Sequence, residues 1–126
     1  KLPDGRRVID LPWVQSNLAR VVAKIELLTL MHWRQAADID AGFLNPADAS
    51  AVKVFGSELY IEAYRALMEI LGQGSTVIAG SPGALLQGKI ERLYRSLLVL
   101  TFGGGTNEIQ RSIIAMAGCM MPRSMV

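Results

Sequence analysis

Residues 102–111 read Phe-Gly-Gly-Gly-Thr-Asn-Glu-Ile-Gln-Arg, so three consecutive glycines stand between two apolar runs. The run before them is Leu-Leu-Val-Leu at 97–100, and Ile109, Ile113 and Ile114 follow at helical spacing. Three glycines cannot extend a helix cheaply, because glycine loses the most backbone entropy when it is ordered. The segment therefore predicts a helix–loop–helix corner whose backbone carries no side chains.

The residues after the glycines suit the start of a helix. Thr106 can act as the N-cap, and Glu108 in the first turn complements the positive end of the helix dipole. A bare corner that leads into a helix N-terminus would let a phosphate or a planar cofactor approach the main chain. A simple tight turn between two helices is an equally good interpretation of the spacing. Neither G-x-G-x-x-G nor a P-loop Lys-Ser/Thr is present, so the two standard nucleotide fingerprints are absent.

Apolar residues recur at three- and four-residue steps along most of the chain, which is typical of amphipathic helices. The first stripe comprises Val14, Leu18, Val21, Ile25, Leu28, Met31 (or His32), Ala36 and Ile39. The second comprises Val52, Phe55, Leu59, Ala63, Ala66 (or Leu67) and Ile70, and the third Leu85, Leu86, Ile90, Leu93, Leu97 and Leu100. A fourth helix is predicted from Thr106 to about Met120. The pattern predicts an all-α fold, an up-down bundle of about four helices.

Signals for helix ends support these assignments. Pro12 suits the first turn of the first helix, and Gly42 ends it. Asn45 is a predicted N-cap with Pro46 at the first helical position, and Gly72 ends the second helix. We expect the first two helices to be antiparallel neighbours because their connection is short.

The length predicts a single helical domain over residues 1–126, with an irregular lead-in at 1–11 and a loop at 72–83. Half of the residues are apolar (51%), and the mean hydropathy of +0.30 is high for a small domain with a solvated exterior. We interpret the excess as faces that contact partner domains or subunits.

Composition excludes several classes of function. The net charge of +2 comes from scattered cations, which argues against nucleic acid. Cys119 is the only cysteine, so we expect no disulfide and a reduced, cytoplasmic setting. No leader is visible, and the longest apolar run is far below the roughly 20 residues of a membrane span. Glu58 and Glu62 form a weak ligand pair without histidine, so no metal site is predicted. A lone His32 on the core-facing stripe is more typical of packing than of catalysis.

Residues 105–115, Gly-Thr-Asn-Glu-Ile-Gln-Arg-Ser-Ile-Ile-Ala, resemble the C-terminal signature of the acyl-CoA dehydrogenase family of flavoproteins. Residues 4–15 resemble, more weakly, the segment that leads into a long helix of the same C-terminal domain. The resemblance implies that this chain is the family's C-terminal helical domain. It also implies that the N-terminal helical domain and the middle β-domain of the family are not in this chain.

The resemblance implies a reaction and raises a question about its base. In the family, a carboxylate removes the α-proton of an acyl-CoA thioester while hydride leaves the β-carbon for FAD. In many members this base is the glutamate immediately before the Gly-Thr of the signature. That position is Gly104 here, so no catalytic residue is assigned in this chain. The base would lie on another segment or on a partner subunit, or the chain is a non-catalytic half of a complex.

By the same resemblance, several positions are implied at FAD and at the substrate. Gly105, Thr106 and Glu108 match the positions that approach the ribose and the diphosphate of FAD. Gly103 and Gly104 match the acyl pocket, where Gly103 replaces a frequent aromatic residue and would widen the pocket for a branched or polycyclic acyl group.

Residues 69–74, Glu-Ile-Leu-Gly-Gln-Gly, occupy the place of a family turn that reaches the FAD of a neighbouring subunit. This places Gly72 and Gln73 at the cofactor. Glu69 replaces the family's glutamine, and a carboxylate beside a diphosphate is unfavourable.

The sequence thus predicts the C-terminal part of a FAD-dependent acyl-CoA dehydrogenase that is not competent alone. Its expected partners are the acyl-CoA substrate and other dehydrogenase subunits in a homo- or hetero-oligomer. The alternative is a helical structural or oligomerisation subunit of a dehydrogenase-like complex that does no chemistry.

Overall fold

The computed structural model describes residues 2–123, and these contain four α-helices and no β-strand. The helices are α1 (Pro12–Asp40), α2 (Pro46–Leu71), α3 (Lys89–Leu97) and α4 (Asn107–Ile113). Short 3-10 turns occur at Val8–Asp10, Gln73–Thr76 and Leu98–Thr101, and a π-helical turn, Ile114–Gly118, follows α4. The predicted all-α class with four helices is confirmed. Lys1, part of the predicted lead-in, lies outside the described residues.

Both long helices end where the sequence signals them. Gly42 has a φ of +83°, and the N–H of Phe43 donates to the carbonyl of Asp38 at 2.8 Å. The N–H of Gly42 donates to the carbonyl of Ile39 at 2.9 Å, which completes a Schellman motif at the end of α1. At the start of α2, the side-chain oxygen of Asn45 accepts from the N–H of Ala47 at 2.9 Å. Asn45 is therefore the N-cap of α2, as predicted.

Asn45→Ala is expected to lower the free energy of unfolding by about 1 kcal/mol, because the N–H of Ala47 loses its acceptor at the helix end. Chemical denaturation followed by far-UV circular dichroism measures the change. Asn45→Asp is the matched control, since its carboxylate keeps the cap. A loss in Asn45→Asp as large as that in Asn45→Ala would contradict the assigned role.

Internal contacts divide the chain into two compact units. Unit 1 consists of Lys1–Lys24 and Tyr60–Leu97, and unit 2 of Ile25–Leu59 and Leu98–Val126. In unit 1 the side chain of Val14 is fully buried and that of Ile61 is 9% exposed. In unit 2 the core contains Ala47, Val54 and Leu59. Both long helices thus contribute residues to each unit.

The third helix begins later than predicted. Its apolar spacing predicts a helix from about Gly83, but α3 begins at Lys89. Leu86 and Gln87 have φ values of +49° and +56°, and Gly88 has +69°, so three consecutive residues are left-handed. A right-handed helix cannot pass through such residues, and each left-handed non-glycine residue costs roughly 1–2 kcal/mol. The prediction was wrong there because apolar spacing alone does not reveal this turn.

Two other segments differ from the expected pattern. The predicted loop 72–83 begins with an ordered 3-10 turn, in which Ser75 is 1% exposed and its hydroxyl lies 2.6 Å from the carbonyl of Gly72. The predicted fourth helix, to about Met120, is α-helical only to Ile113 and then becomes π-helical to Gly118.

The core-facing stripe of α1 is predicted well in its first half and less well afterwards. Val14 is buried, and Leu18, Val21, Leu28 and Met31 are half-buried. The other three members of the stripe, Ile25, Ala36 and Ile39, are exposed. His32 is exposed too, with its ring Nδ1 2.9 Å from the carbonyl of Leu28, so its predicted core position is wrong.

Many large apolar side chains of the described residues are exposed. On α1 they are Trp13, Val22, Ile25, Leu27, Leu30, Trp33 and Ile39. After α1 and around the glycines they include Phe43, Leu44, Leu98, Val99 and Phe102. Exposed apolar residues in such number are typical of a surface that other protein covers.

Candidate functional site

The three glycines, residues 103–105, form the bare turn that the sequence predicts, and we call them the glycine corner. Gly104 and Gly105 have φ values of +72° and +99°, a region that side chains rarely tolerate. A Cβ added at Gly103 would lie 3.1 Å from the carbonyl oxygen of Val99, whereas one at Gly104 would meet nothing within 4 Å. The backbone is therefore tightly packed at Gly103 and open at Gly104.

Thr106 caps the helix that follows the corner, as predicted. Its backbone is extended (φ −63°, ψ 155°), and its hydroxyl oxygen accepts from the N–H of Ile109 at 3.3 Å. Hydrogen bonding by its own backbone N–H, and then by the hydroxyl of Thr106, lowers the pKa of Glu108 from its ordinary value of 4.5. Glu108 is consequently ionised at neutral pH, in the first turn of α4.

The lowered pKa of Glu108 makes part of the stability acid-sensitive. A carboxyl whose pKa is lower in the folded chain stabilises the fold above the unfolded value of about 4.5, and this contribution is lost as the pH falls below it. Glu108→Gln is therefore expected to show a smaller drop in unfolding temperature between pH 7 and pH 3 than the parent chain. Thermal unfolding across this range measures the difference. Identical pH profiles would contradict the assigned hydrogen bonds.

A lysine that the sequence did not single out reaches the corner from α2. The ammonium of Lys53 lies 2.7 Å from the carbonyl oxygen of Gly105 and 2.6 Å from the side-chain oxygen of Asn107. It also lies 3.5 Å from the carbonyl oxygen of Thr101. The side-chain N–H of Asn107, a residue only 4% exposed, donates to the hydroxyl of Ser57 at 3.0 Å. We call Lys53, Ser57 and Asn107 the Lys53 cluster.

Two further contacts join the corner to α4 and α4 to α2. The side-chain amide of Gln110 donates to the carbonyl of Gly104 at 3.0 Å. Arg111 forms an ion pair with Glu58, so this carboxylate is paired with a cation. No pattern in the sequence predicts the contact between Lys53 and Asn107, because the two residues are 54 residues apart and no local signal links them.

The predicted site residues fall into two groups. Gly103, Gly104, Gly105, Thr106 and Glu108 lie together at the glycine corner in unit 2. Gly72 and Gln73 lie at the end of α2 in unit 1, where Gly72 has a φ of +70° and a Cβ would meet nothing within 4 Å. Glu69, one turn earlier, is exposed.

Two cavities lie elsewhere and contain none of the predicted site residues. The larger, of about 210 Å³ in unit 1, is lined by charged residues of both signs, among them Arg20, Glu62, Arg65 and Glu69. The smaller, of about 70 Å³ in unit 2, lies beside Arg34. Among residues 2–123, no three histidine, cysteine or acidic side chains converge as metal ligands would. No helix in this range is both long and apolar enough to cross a bilayer.

Comparison with known proteins gives the corner a context. The family model described as "Acyl-CoA dehydrogenase, C-terminal domain" matches residues 3–119. Over 124 residues the chain is 57% identical to Acyl-CoA dehydrogenase FadE26 of Mycobacterium tuberculosis (strain ATCC 25618 / H37Rv). The aligned region covers 95% of this chain and 31% of that protein.

Solved structures show the same helical fold. One chain of the "Crystal structure of the ChsE4-ChsE5 complex from Mycobacterium tuberculosis" is 56% identical with a TM-score of 0.88, over 98% of this chain and 32% of that one. One chain of the structure described as "Tcur3481-Tcur3483 steroid ACAD" is 44% identical with a TM-score of 0.85, over 93% of this chain and 30% of that one. The present chain spans about a third of the length of these proteins.

Proposed function

We propose a function from the premise that this chain belongs to the acyl-CoA dehydrogenase family, as its C-terminal domain. The chain is part of one subunit of a FAD-dependent dehydrogenase that acts on bulky acyl-CoA thioesters. The chain corresponds to a fragment of a dehydrogenase, with helices that match the family's C-terminal helical fold. The observation that carries the proposal is the glycine corner, where an open backbone at Gly104 lies beside a capped helix start.

The reaction then needs a base from outside the corner. A carboxylate must take the α-proton, and Gly104, in the position of the usual glutamate, has no side chain to accept it. The pKa of Glu108 is held below its ordinary value by its own backbone N–H and by Thr106, which makes its carboxylate a weaker base. We therefore assign the base to another segment of the full-length protein or to a partner subunit.

The residues at the corner fit the adenosine side of FAD better than its diphosphate. The ionised carboxylate of Glu108 can accept hydrogen bonds from ribose hydroxyls, whereas it would repel a diphosphate nearby. The open backbone at Gly104, next to Gly105 and Thr106, lets a ligand approach closely. Gly72 and Gln73 are proposed to contact FAD at a second position. When bound, FAD would accept the hydride that leaves the β-carbon of the substrate.

The substrate is proposed to be polycyclic. Gly103 and Gly104 carry no side chains, and the space beside Gly104 is open, which suits a wide, rigid acyl group better than a narrow chain. One structure similar to this chain is described as a steroid ACAD, and this supports a steroid-type thioester.

The chain is proposed to act in a complex with other dehydrogenase subunits. The exposed apolar residues of α1, among them Trp33 at 68% exposure, provide a surface that a partner would bury. One similar structure is the ChsE4-ChsE5 complex, and this supports a hetero-oligomer of two kinds of subunit. The alternative function is a helical subunit that supports a flavin-bearing partner without contacting FAD, which the engaged Glu108 and Thr106 would also allow.

Co-purification of the full-length protein with a candidate dehydrogenase partner tests the proposed cofactor, substrate and complex. We expect a complex of defined native mass that contains bound flavin and oxidises a steroid acyl-CoA faster than a straight-chain acyl-CoA with an artificial electron acceptor. A colourless complex, or one with equal rates on both substrates, would contradict the proposed cofactor or the proposed substrate, respectively.

Thr106→Val tests the cofactor contact directly. The substitution keeps the shape of the side chain but removes the hydroxyl that accepts from the N–H of Ile109 and helps to lower the pKa of Glu108. We expect the flavin-bearing complex to retain FAD several-fold less tightly, measured as the flavin-to-protein ratio during dilution. Thr106→Ser, which keeps the hydroxyl, is the matched control and should retain FAD normally. Unchanged retention in Thr106→Val would remove Thr106 from the FAD site.

A further inference from the structure

The glycine corner has no side chains of its own with which to fix its conformation. Three consecutive glycines sample positive and negative φ values almost equally, so an isolated segment of this kind would be mobile. The main-chain groups of the corner are therefore the only ones that neighbours can hold. In the structure, two of its carbonyl oxygens are held by long side chains, that of Gly104 by Gln110 and that of Gly105 by Lys53.

Of these two, the ammonium of Lys53 has the stronger and more central position. It is half-buried and contacts the chain on both sides of the corner, at Gly105 and Asn107 after it and at Thr101 before it. Thr101 ends the 3-10 turn before the corner, where carbonyl groups lack helical partners and a cation is favourable. Charge-assisted hydrogen bonds are about twice as strong as neutral ones.

Asn107 connects the Lys53 ammonium to the start of α4. It is the first residue of α4, and its side chain joins the ammonium of Lys53 to the hydroxyl of Ser57. Lys53 and Ser57 lie one turn apart on α2, so the rigid helix fixes both ends of the cluster.

We propose that Lys53 is the positioning residue of the glycine corner. Its ammonium selects one conformation of residues 103–105 and sets the position of the N-terminus of α4 relative to them. The role goes beyond general stabilisation, because the residues it orders are those proposed to approach FAD. In this respect the inference deepens the proposed function, but the order of the corner can be measured independently of any ligand.

Hydrogen exchange of the full-length protein in its native complex, followed by mass spectrometry, tests the proposal. In Lys53→Met, the peptide that contains residues 102–106 is expected to exchange about tenfold faster, while the central peptides of α2 keep their protection. Lys24→Met is the matched control, because Lys24, like Lys53, is half-buried on a long helix. Its ammonium is paired with the carboxylate of Glu62 in unit 1 and does not contact the corner. Lys24→Met should leave the corner unchanged.

Two further variants keep the test decisive if Lys53→Met does not fold. Lys53→Arg retains a cationic donor and should return most of the lost protection. Asn107→Ala removes one acceptor of the ammonium and should accelerate exchange at the corner, though less than Lys53→Met. Three results would overturn the proposal. The first is uniformly faster exchange throughout the chain in Lys53→Met, and the second is unchanged exchange at the corner in either Lys53→Met or Asn107→Ala. The third is exchange at the corner as fast in Lys53→Arg as in Lys53→Met.

Flavin retention in the same variants separates this inference from the proposed function. Faster exchange at the corner with weaker flavin retention supports both. Faster exchange with unchanged retention supports the role of Lys53 in positioning and contradicts the contact between the corner and FAD.

Discussion

Gly88→Ala is expected to lower the free energy of unfolding by about 3 kcal/mol, which is a large effect for a single methyl group. A Cβ at residue 88 would overlap the backbone nitrogen of Ala79 and would lie 2.7 Å from its Cα. The obstacle is main chain, so no side chain can rotate out of the way. The φ of +69° adds a cost of about 1 kcal/mol for alanine.

Gly80→Ala separates the two contributions. Gly80 also has a positive φ, +86°, but a Cβ there would meet nothing within 4 Å. Only the backbone cost of about 1 kcal/mol is therefore expected. Denaturant unfolding of both variants gives the comparison, and equal losses would show that the contact between Gly88 and Ala79 is not tight.

Asn107→Leu is expected to have a similarly large effect, about 3 kcal/mol, for a different reason. The two side chains have the same branching and the same number of heavy atoms, so the substitution leaves no cavity. The substitution instead removes one acceptor of the Lys53 ammonium and the donor to Ser57 at a site that is only 4% exposed. A hydrogen bond to a charged group contributes roughly 1.5–3 kcal/mol and a neutral one about 1 kcal/mol.

Ser57→Ala is the matched control for this prediction. It removes the neutral partner of Asn107 but leaves the contact with Lys53 in place. We expect a loss of about 1 kcal/mol by the same denaturant measurement. If Ser57→Ala costs as much as Asn107→Leu, the bond from the ammonium contributes little and the stability of this region comes from the buried hydroxyl.

The ends of the long helices could be predicted from the sequence because each depends on a local signal. Pro12, the Asn45–Pro46 pair, Gly42 and Gly72 act through bonds and torsions within a few residues, and the structure has each in its expected role. The left-handed turn at Leu86 and Gln87 has no such signal, since neither residue favours a positive φ. Tertiary contacts fix that turn, among them the close approach of Gly88 to Ala79.

The candidate site divides in the same way. Thr106 as an N-cap and the bare glycines follow from neighbouring residues, and both are found. The Lys53 cluster depends on a contact across 54 residues, and a single lysine within a helix gives no indication of it. On α1, apolar spacing alone could not distinguish residues that face the core from residues that face outward, because apolar side chains occur in both places. Ile25 and Ile39 belong to the predicted core-facing stripe and are nevertheless exposed.

The exposed tryptophans of α1 have a consequence for how this protein reaches its native state. Trp13 and Trp33 are 45% and 68% exposed, so the folded chain is stabilised when a neighbour excludes water from them. Folding and association are then linked by mass action, so the unfolding midpoint should rise with protein concentration. In the proposed complex of two kinds of subunit, the supply of one subunit would then limit the lifetime of the other.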